Sequence, residues 1–377
     1  MHMEESKCGP LEQSPGEALA LLKELGAIPA PSHKEDLRAE FCRQWLTEQG
    51  ADPVFVDETK NVIYPYRCEE KEEIVVFMAH TDVVFPDTEP FTVRQEENRL
   101  YAPGIGDDTA NLVNLLLAAR YMAKHRPETS AGILFAADSC EEGLGNLKGC
   151  KKLMETYGSR IKELVSFDCG IPALVNAAVG SQRYKVTVRT EGGHSFGDFG
   201  RKNAIHWLCC IVRDLYETEV PTKAKTTYNV GRIEGGTTVN SIAQEAHMLY
   251  EFRSVDHGCL KRMEQNFEKL VSDYRNRGLD IEVETVGIRP CGRGADDGRM
   301  EDMVKRYGKI IRSCTGEEPD LAAASTDANI PLSMGIPAVT LGTVRGKGAH
   351  TREEWIDIGS MEAGMRIAFA CMESLIL

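Results

Sequence analysis

The hydrophobic pattern changes in character along the chain. Up to about residue 179, apolar runs typical of strands buried on both faces alternate with segments whose apolar positions recur every three or four residues. "VVFMAH" (75–80), "AGILFAAD" (131–138) and "KELVSFD" (162–168) predict strands, and "NLVNLLLAARYMAKH" (111–125) predicts a helix. Strands that alternate with helices predict an α/β fold with a largely parallel sheet flanked by helices.

Beyond residue 179 the pattern is amphipathic. "RYKVTVRT" and "HMLYEFRS" alternate apolar and polar positions as half-exposed antiparallel strands do, whereas "NAIHWLCCIVRDLYET" and "LKRMEQNFEKLVSDYRNRG" predict helices. Together with "LDIEVETV" they predict an inserted ferredoxin-like α+β unit. The parallel-sheet pattern resumes with "EDMVKRYGKIIRSC" and "PAVTLG". We therefore predict one domain made of residues 1–179 and 288–377, and an inserted domain at 180–287.

Charge and composition exclude several classes of function. The 377 residues carry a formal charge of −14 without a basic stripe, which argues against nucleic-acid and anionic-membrane partners. Neither "MHMEESKCGP" at the amino terminus nor any later segment has the apolar run of a signal peptide or a membrane span, so we expect a cytoplasmic protein. The twelve cysteines include no C-x-x-C, which favours reduced thiols over a disulfide framework or a zinc ribbon.

Acidic residues and histidines follow several of the predicted strands or occupy glycine-marked turns. They are His80 and Asp82 in "AHTD", Asp107 and Asp108 in "GIGDDTAN", Glu141 and Glu142 in "CEEG", Asp168 in "SFDCG" and His350 in "GAHTREEW". Each alone has a structural explanation, such as a helix cap or a solvated turn. Because ligands bind at the carboxyl ends of the strands in open α/β sheets, we expect these groups to lie together.

Many carboxylates gathered at one edge of a sheet would repel one another and raise their pKa values unless positive charge lay among them. Two divalent metal ions would supply that charge. Mixed histidine and carboxylate ligands suit Zn²⁺, with Co²⁺ or Mn²⁺ as alternatives, and a shared carboxylate can hold two ions about 3.5–4 Å apart. Such a site polarises a carbonyl and generates hydroxide near neutral pH, so the predicted chemistry is hydrolysis.

The order of these motifs resembles the co-catalytic zinc exopeptidase and deacylase family. That family includes peptidase T, carboxypeptidase G, acetylornithine deacetylase and succinyl-diaminopimelate desuccinylase. H-x-D after a strand, G-x-G-D-D-x-A, E-E-G, a later Asp and a C-terminal His occur in that order around an inserted domain, over nearly the whole chain. The resemblance implies that Asp107 bridges two metals, one also held by His80 and Asp168 and the other by Glu142 and His350.

The same resemblance implies catalytic roles for neighbouring residues. Asp82 would orient His80 and fix its tautomer. Glu141 would be the general base that takes a proton from the attacking water and passes it to the leaving amine. The family often has Lys where Thr109 stands, and the sequence leaves Asp108 open as the bridging residue.

The inserted domain carries a second set of residues. "EGGHSFGDFGRKNAI" resembles a family signature whose histidine stabilises the tetrahedral oxyanion, commonly in the partner subunit, which implies that His194 has this role in a homodimer. "GGTTVNSIAQEAHMLYEFRS" resembles the family's Gly-Gly, Asn and Arg run, so Asn240 and Arg253 are candidates for contacts with the substrate. The family usually has Asp where this chain has Glu251, and an Arg253–Glu251 ion pair is the structural alternative.

We therefore predict a metal-dependent exopeptidase, of the aminopeptidase, dipeptidase or tripeptidase type, that hydrolyses short peptides. By resemblance, peptidase T-like enzymes and dipeptidases carry Asp at the position of Asp168, where many deacylases carry Glu, and "STDANIPLSMGIPAVTLG" also resembles peptidase T. An N-acyl amino acid deacylase with the same machinery is the alternative. A non-catalytic binding protein on this fold is a third interpretation, against which the intact Glu141 and complete ligand set argue.

Overall fold

The computed structural model describes residues 15–295 and 297–377. The amino-terminal stretch that entered the expectation on secretion lies outside them. The described chain forms two compact units, one made of residues 15–178 with Arg293–Leu377 and the other of Val179–Gly292, where the sequence predicted an insertion at 180–287. None of the helices in the described ranges combines the length and apolar character that a membrane span needs.

The first unit contains most of the strands and helices. Its strands are β1 (Phe55–Val56), β2 (Val62–Tyr66), β3 (Ile74–His80), β4 (Arg94–Glu96), β5 (Arg99–Tyr101), β6 (Gly132–Asp138), β7 (Ile161–Phe167), β8 (Ala173–Ala178), and, after the second unit, β15 (Asp320–Ala324), β16 (Ala338–Leu341), β17 (Gly346–Lys347) and β18 (Trp355–Asp357). Its helices are α1 (Pro15–Ala27), α2 (Asp36–Glu48), α3 (Asn111–His125), α4 (Lys148–Tyr157), α7 (Arg299–Thr315), α8 (Asn329–Ser333) and α9 (Met361–Glu373).

An eight-stranded sheet with the order β1-β2-β6-β3-β7-β16-β8-β15 lies at the centre of this unit. Its four middle strands run parallel, and antiparallel pairing is confined to the flanks, so the predicted α/β class with a largely parallel sheet is confirmed. The side chains of β3 explain the continuous apolar run. Val75 and Phe77 pack with α1, α3 and α9, whereas Val76 and Met78 pack with α4, so both faces of the strand are buried.

The carboxyl ends of the parallel strands bring the predicted site residues to one edge of the sheet. In the register of β3 and β6, His80 lies opposite Asp138, three residues before Glu141. Strand β7 ends at Phe167, directly before Asp168. The three polar clusters are therefore neighbours because their strands are neighbours.

The second unit is an antiparallel sheet with two helices. It contains β9 (Gly180–Arg189), β10 (Gly193–His194), α5 (Ala204–Tyr216), β11 (Thr226–Gly235), β12 (Ser241–Ile242), β13 (Glu245–Ser254), α6 (His257–Asn276) and β14 (Asp280–Arg289). Four of the strands form a sheet with the order β11-β13-β9-β14, and β10 pairs with β12 as a separate ribbon. Tyr184 and Val186 of the sheet pack against Leu208 of α5 and Phe267 of α6, which is the amphipathic pattern seen in the sequence.

Candidate active site

His80 ends β3 with its imidazole buried and held at both nitrogens. Nδ1 lies 3.0 Å from the carbonyl oxygen of Asp82. A carbonyl oxygen only accepts hydrogen bonds, so Nδ1 carries a hydrogen, and Nε2 is the ring nitrogen left for a metal ion to bind. Nε2 lies 3.1 Å from Oδ1 of Asp107. The nitrogen suited to bind a metal therefore faces the predicted bridging residue.

The carboxylate of Asp82 joins the His80 turn to the segment that carries Glu141 and Glu142. The backbone N–H groups of Glu141 and Glu142 each donate to one Asp82 oxygen, both at 3.0 Å. The hydroxyl of Ser32 donates to Oδ2 at 2.6 Å. Asp82 itself is fully buried, and its pKa stays low because the hydrogen bonds and His80 outweigh its burial. This one side chain fixes the relative positions of three predicted site residues.

Asp107 lies between the two predicted histidine ligands. Its Oδ1 faces His80, and its Oδ2 lies 3.1 Å from Nε2 of His350. The same His350 nitrogen lies 3.1 Å from Oε1 of Glu142. Burial opposes ionisation of Asp107, but the hydrogen bonds from both histidines lower its pKa, and the hydrogen bonds to Asp107 and Glu142 raise the pKa of His350 to about 10. Each oxygen of one carboxylate thus serves a different histidine.

The potential ligand atoms form three overlapping groups, each lying within 4.8 Å. They are His80, Asp107 and Asp168; Asp107, Glu142 and His350; and His80, Glu141 and Glu142. The first two groups share Asp107, as a bridging ligand would. The structure therefore brings together all five residues predicted as metal ligands and places Glu141 beside them.

The chemistry of these donors fits divalent metal ions. The donors are imidazole nitrogens and carboxylate oxygens, without a thiolate. Burial, together with the charge of Asp107, raises the pKa of Asp168 to about 6, and burial raises the pKa of Asp108 well above its usual range. Burial and mutual repulsion thus oppose ionisation of the crowded carboxylates, and cationic charge among them would stabilise their ionised forms.

The carboxylate of Asp108 binds a backbone N–H group and a side-chain amide. Its Oδ2 accepts the backbone N–H of His80 at 3.0 Å, and its Oδ1 accepts the side-chain amide of Asn111 at 2.7 Å. No side-chain hydrogen bond caps the start of α3. Of the two adjacent aspartates that the sequence left open, Asp107 is the one with both oxygens directed at histidines.

Glu354 supports the Asp107 loop and was not singled out from the sequence. One of its oxygens accepts the backbone N–H groups of Gly106 and Asp107, both at 2.8 Å, and the other accepts the N–H of Gly104 at 2.9 Å. Gly104 has a φ of +70° and would place a Cβ 2.3 Å from Val83, so only glycine fits there. Glu354 lies four residues after His350 in the chain, so its hydrogen bonds connect the segment of that predicted ligand to the Asp107 loop.

The residue before Glu141 is held by a buried carboxylate. Cys140 has a left-handed backbone with a φ of +58°, and its thiol donates to Oε1 of fully buried Glu35 at 3.1 Å. His33 Nδ1 lies 3.3 Å from the same sulfur. Burial raises the pKa of Cys140 to about 12, so the thiol keeps its hydrogen for this bond. The turn that precedes Glu141 is therefore held in place by the hydrogen bond from Cys140 to Glu35.

The residues of the second unit that were predicted to contact the substrate differ in exposure and in hydrogen bonding. His194 and Asn240 are exposed, and the backbone carbonyl of Asn240 accepts the N–H of Ser195 at 3.0 Å, which links the two predicted residues. Arg253 forms two hydrogen bonds to Glu251, at 2.9 and 3.1 Å. The ion pair left open by the sequence is thus present in the structure.

Comparison with known proteins identifies the family. The sequence model of peptidase family M20/M25/M40 matches residues 76–374. Succinyl-diaminopimelate desuccinylase of Pseudoalteromonas atlantica is 24% identical, over 96% of this chain and 99% of that protein. The aminopeptidase PepT of Bacillus cereus has a TM-score of 0.72 at 21% identity, over 96% of this chain and 98% of PepT. The M20 family metallo-carboxypeptidase Sso-CP2 of Sulfolobus solfataricus has a TM-score of 0.75 at 16% identity, over 94% and 98%.

The chain belongs to peptidase family M20/M25/M40. It is a hydrolase of this metallopeptidase family, so the family and the enzyme class predicted from the sequence are confirmed.

Proposed function

We propose that this protein is a metal-dependent exopeptidase that hydrolyses short peptides. The position of Asp107 between two ligand groups, with one oxygen toward each histidine, carries this proposal. His80 and Asp168 would hold one ion with Asp107, and Glu142 and His350 would hold the other. We expect zinc, with cobalt or manganese as alternatives. When bound, the ions would polarise the scissile carbonyl and lower the pKa of a water molecule.

Glu141 is the group best suited to move protons in this reaction. Glu141 is 5% exposed, its carboxylate lies within 4.8 Å of potential ligand atoms of His80 and Glu142, and its backbone N–H donates to Asp82. Glu142 instead faces His350. We therefore assign the adjacent carboxylates different work. Glu141 accepts a proton from the attacking water and delivers it to the leaving amine, and Glu142 binds metal.

The second unit would contact the substrate in a homodimer. His194 and Asn240 are exposed and linked through Ser195, which supports a joint role in recognising a carbonyl or carboxylate group. Arg253 belongs to the same unit and carries a positive charge. Because it is paired with Glu251, it would have to release Glu251 before it could bind a substrate carboxylate.

Asp168 supports a peptidase over a deacylase, because peptidase T-like relatives carry Asp at this position by resemblance. One observation favours the alternative, an N-acyl amino acid deacylase. The similarity to a succinyl-diaminopimelate desuccinylase extends over 96% of this chain and 99% of that protein. Both reactions hydrolyse an amide bond and can use the same acid-base groups, so the substrate decides between them.

The experiment that tests the proposal compares matched substrates. Metal-loaded protein is given a panel of dipeptides with a free amino group and the same dipeptides after N-acylation, and the released amino acids and the released acyl acid are quantified separately. A Glu141→Gln preparation, purified in parallel, measures any contaminating peptidase. We expect hydrolysis of the free dipeptides by the wild type. Release of the acyl acid from the acylated set, without hydrolysis of the free dipeptides, would replace the peptidase by the deacylase, and cleavage of neither set would reject both.

A further inference from the structure

The loop of residues 194–201, called the His194 loop below, closes on itself through one aspartate. The backbone N–H of His194 donates to Oδ2 of Asp198 at 2.8 Å, and the N–H of Asp198 donates to the carbonyl oxygen of His194 at 2.9 Å. Arg201 completes the closure, with Nη2 at 2.9 Å from Oδ1 of Asp198 and Nη1 donating to the carbonyl of Gly192 at 3.2 Å. Asp198 thus joins both ends of the loop.

The closed loop directs two backbone donors at the His194 ring. The N–H groups of Phe196 and Gly197 donate to Nδ1 at 3.3 and 3.2 Å. A ring nitrogen that accepts hydrogen bonds carries the lone pair, so the hydrogen of the neutral ring is on Nε2. His194 is exposed, and Nε2–H is the donor that its ring can offer to another molecule.

We propose that Asp198 is a positioning residue that keeps His194 in the Nε2–H tautomer, so that the ring donates a hydrogen bond to the substrate's carbonyl oxygen. The proposal rests on the proposed amide hydrolysis. When water attacks an amide, the carbonyl oxygen gains negative charge and requires a donor. The other tautomer would present a lone pair to that oxygen and repel it. The role of His194 therefore depends on a loop that fixes the position of one hydrogen.

The glycine before His194 fits this arrangement. Gly193 has a φ of +145°, and a Cβ added there would lie 2.7 Å from Oδ2 of Asp198. Any side chain would force the carboxylate away from the His194 N–H. The absence of a side chain at Gly193 therefore allows Asp198 to reach the backbone N–H of His194.

The role of the Nε2 hydrogen is tested first with variants of His194 itself. In His194→Gln the side-chain amide can place an N–H near the position of Nε2, whereas in His194→Asn it reaches only the position of Nδ1. We expect His194→Asn and His194→Ala to lose about 10²- to 10³-fold in kcat, as when an oxyanion donor is removed. His194→Gln should keep a larger part of kcat, with KM and metal content unchanged in all three. Equal losses in Gln and Asn variants would overturn the donor role.

The role of Asp198 is tested by NMR and kinetics on the intact protein. In ¹⁵N-histidine-labelled protein, long-range ¹H–¹⁵N spectra report which ring nitrogen carries the hydrogen, and the signals lost in His194→Gln assign this residue among the nine histidines. We expect Nε2–H for the wild type, a mixture of tautomers in Asp198→Ala, and recovery in Asp198→Asn, whose amide oxygen can still accept the His194 N–H. Asp273→Ala, at an exposed position of α6, is the matched control.

The kinetic consequence should follow the spectra. Asp198→Ala should lower kcat by about tenfold or more, the effect of about 1.4 kcal/mol, while Asp198→Asn loses less. An Nδ1–H tautomer in the wild type, or an Asp198→Ala variant with unchanged tautomer and kcat, would overturn the proposal. The NMR arm needs no substrate, so a protein that cleaves neither peptides nor acyl amino acids would fail the proposed function and leave the tautomer result to stand or fall alone.

Discussion

The two units present their predicted site residues in different ways. In the first unit, His80, Glu141, Glu142 and Asp168 are between 1% and 8% exposed, and among the five predicted ligands only His350 has a mostly exposed side chain, at 57%. In the second unit His194 and Asn240 are exposed. The first unit arranges its chemistry before any substrate arrives, whereas the second unit offers groups that act only when another molecule contacts them.

The hydrogen bonds that support the predicted site residues also differ between the two units. In the first unit, buried carboxylates from distant parts of the chain accept backbone N–H groups of the site segments, as Asp82 does for two and Glu354 for three. Each hydrogen bond to a charged group contributes about 1.5–3 kcal/mol, and the group left unpaired would be costly. In the second unit, Asp198 holds a single local loop. The first arrangement gives a rigid centre and the second gives a rigid loop on an exposed surface.

The largest effect should come from metal removal, which concerns the first unit alone. Chelation should abolish activity, because the carbonyl loses its electrophilic partner, and added Zn²⁺, Co²⁺ or Mn²⁺ should restore it. The far-ultraviolet circular dichroism should change little, since the hydrophobic clusters on both faces of the sheet are formed by apolar side chains. Full activity in exhaustively demetallated protein would contradict the account.

The next largest effect should separate the adjacent glutamates. Glu141→Gln should lose about 10²- to 10⁴-fold in kcat and keep its metal, because it removes a proton carrier. Glu142→Gln should lose metal as well, because its carboxylate faces His350. Metal content and kcat measured on both variants decide the matter. Equal metal loss in the two would mean that their roles have been misassigned.

The comparison of units is sharpened by mixed dimers. If each His194 serves the other chain's centre in a homodimer, co-expression of Glu141→Gln with His194→Ala gives mixed dimers with one doubly defective site and one intact site. Random pairing should then recover roughly a quarter of wild-type activity. Each variant expressed alone is the control for residual activity. A verified mixed dimer without recovery would show that each chain completes its own site and would leave the metal chemistry untouched.

The smallest effect concerns the support beneath Glu141. Cys140→Ala removes the hydrogen bond to Glu35 and should cost about 0.5–1.5 kcal/mol in the free energy of unfolding, whereas Cys140→Ser can keep a donor and should cost less. Cys371 is the matched control, because it is fully buried in an apolar cluster, where a hydroxyl is less favourable than a methyl group. Urea unfolding should therefore rank Ser above Ala at Cys140 and Ala above Ser at Cys371. The same ranking at both positions would contradict the support role.

Features encoded by periodicity could be predicted from the sequence. The apolar run of β3 ending at His80 is visible because a strand buried on both faces must be apolar throughout, and the amphipathic pattern of α5 and α6 is visible because each covers one face of a sheet. Strands of two or three residues, such as β4 and β17, are too short to show a period.

Long-range support could not be predicted. The backbone N–H groups that donate to Glu354 lie about 250 residues away in the chain. From the sequence alone, "HTREEW" is therefore only a charged run after a histidine. The hydrogen bond from Cys140 to Glu35 joins residues that are 105 positions apart in the chain. Asp107 and Asp108 are chemically identical neighbours, and only the direction of each carboxylate distinguishes the one that faces histidines from the one that holds backbone.

The central claim is that Asp107 is shared by two metal positions, and metal content per chain after dialysis against trace zinc tests it most directly. The account predicts two ions in the wild type and in the exposed control Asp302→Asn, one tightly bound ion in His350→Ala, and loss of both in Asp107→Asn, because each position depends on the same carboxylate. An Asp107→Asn protein that keeps one tightly bound ion, as His350→Ala does, would contradict the shared site.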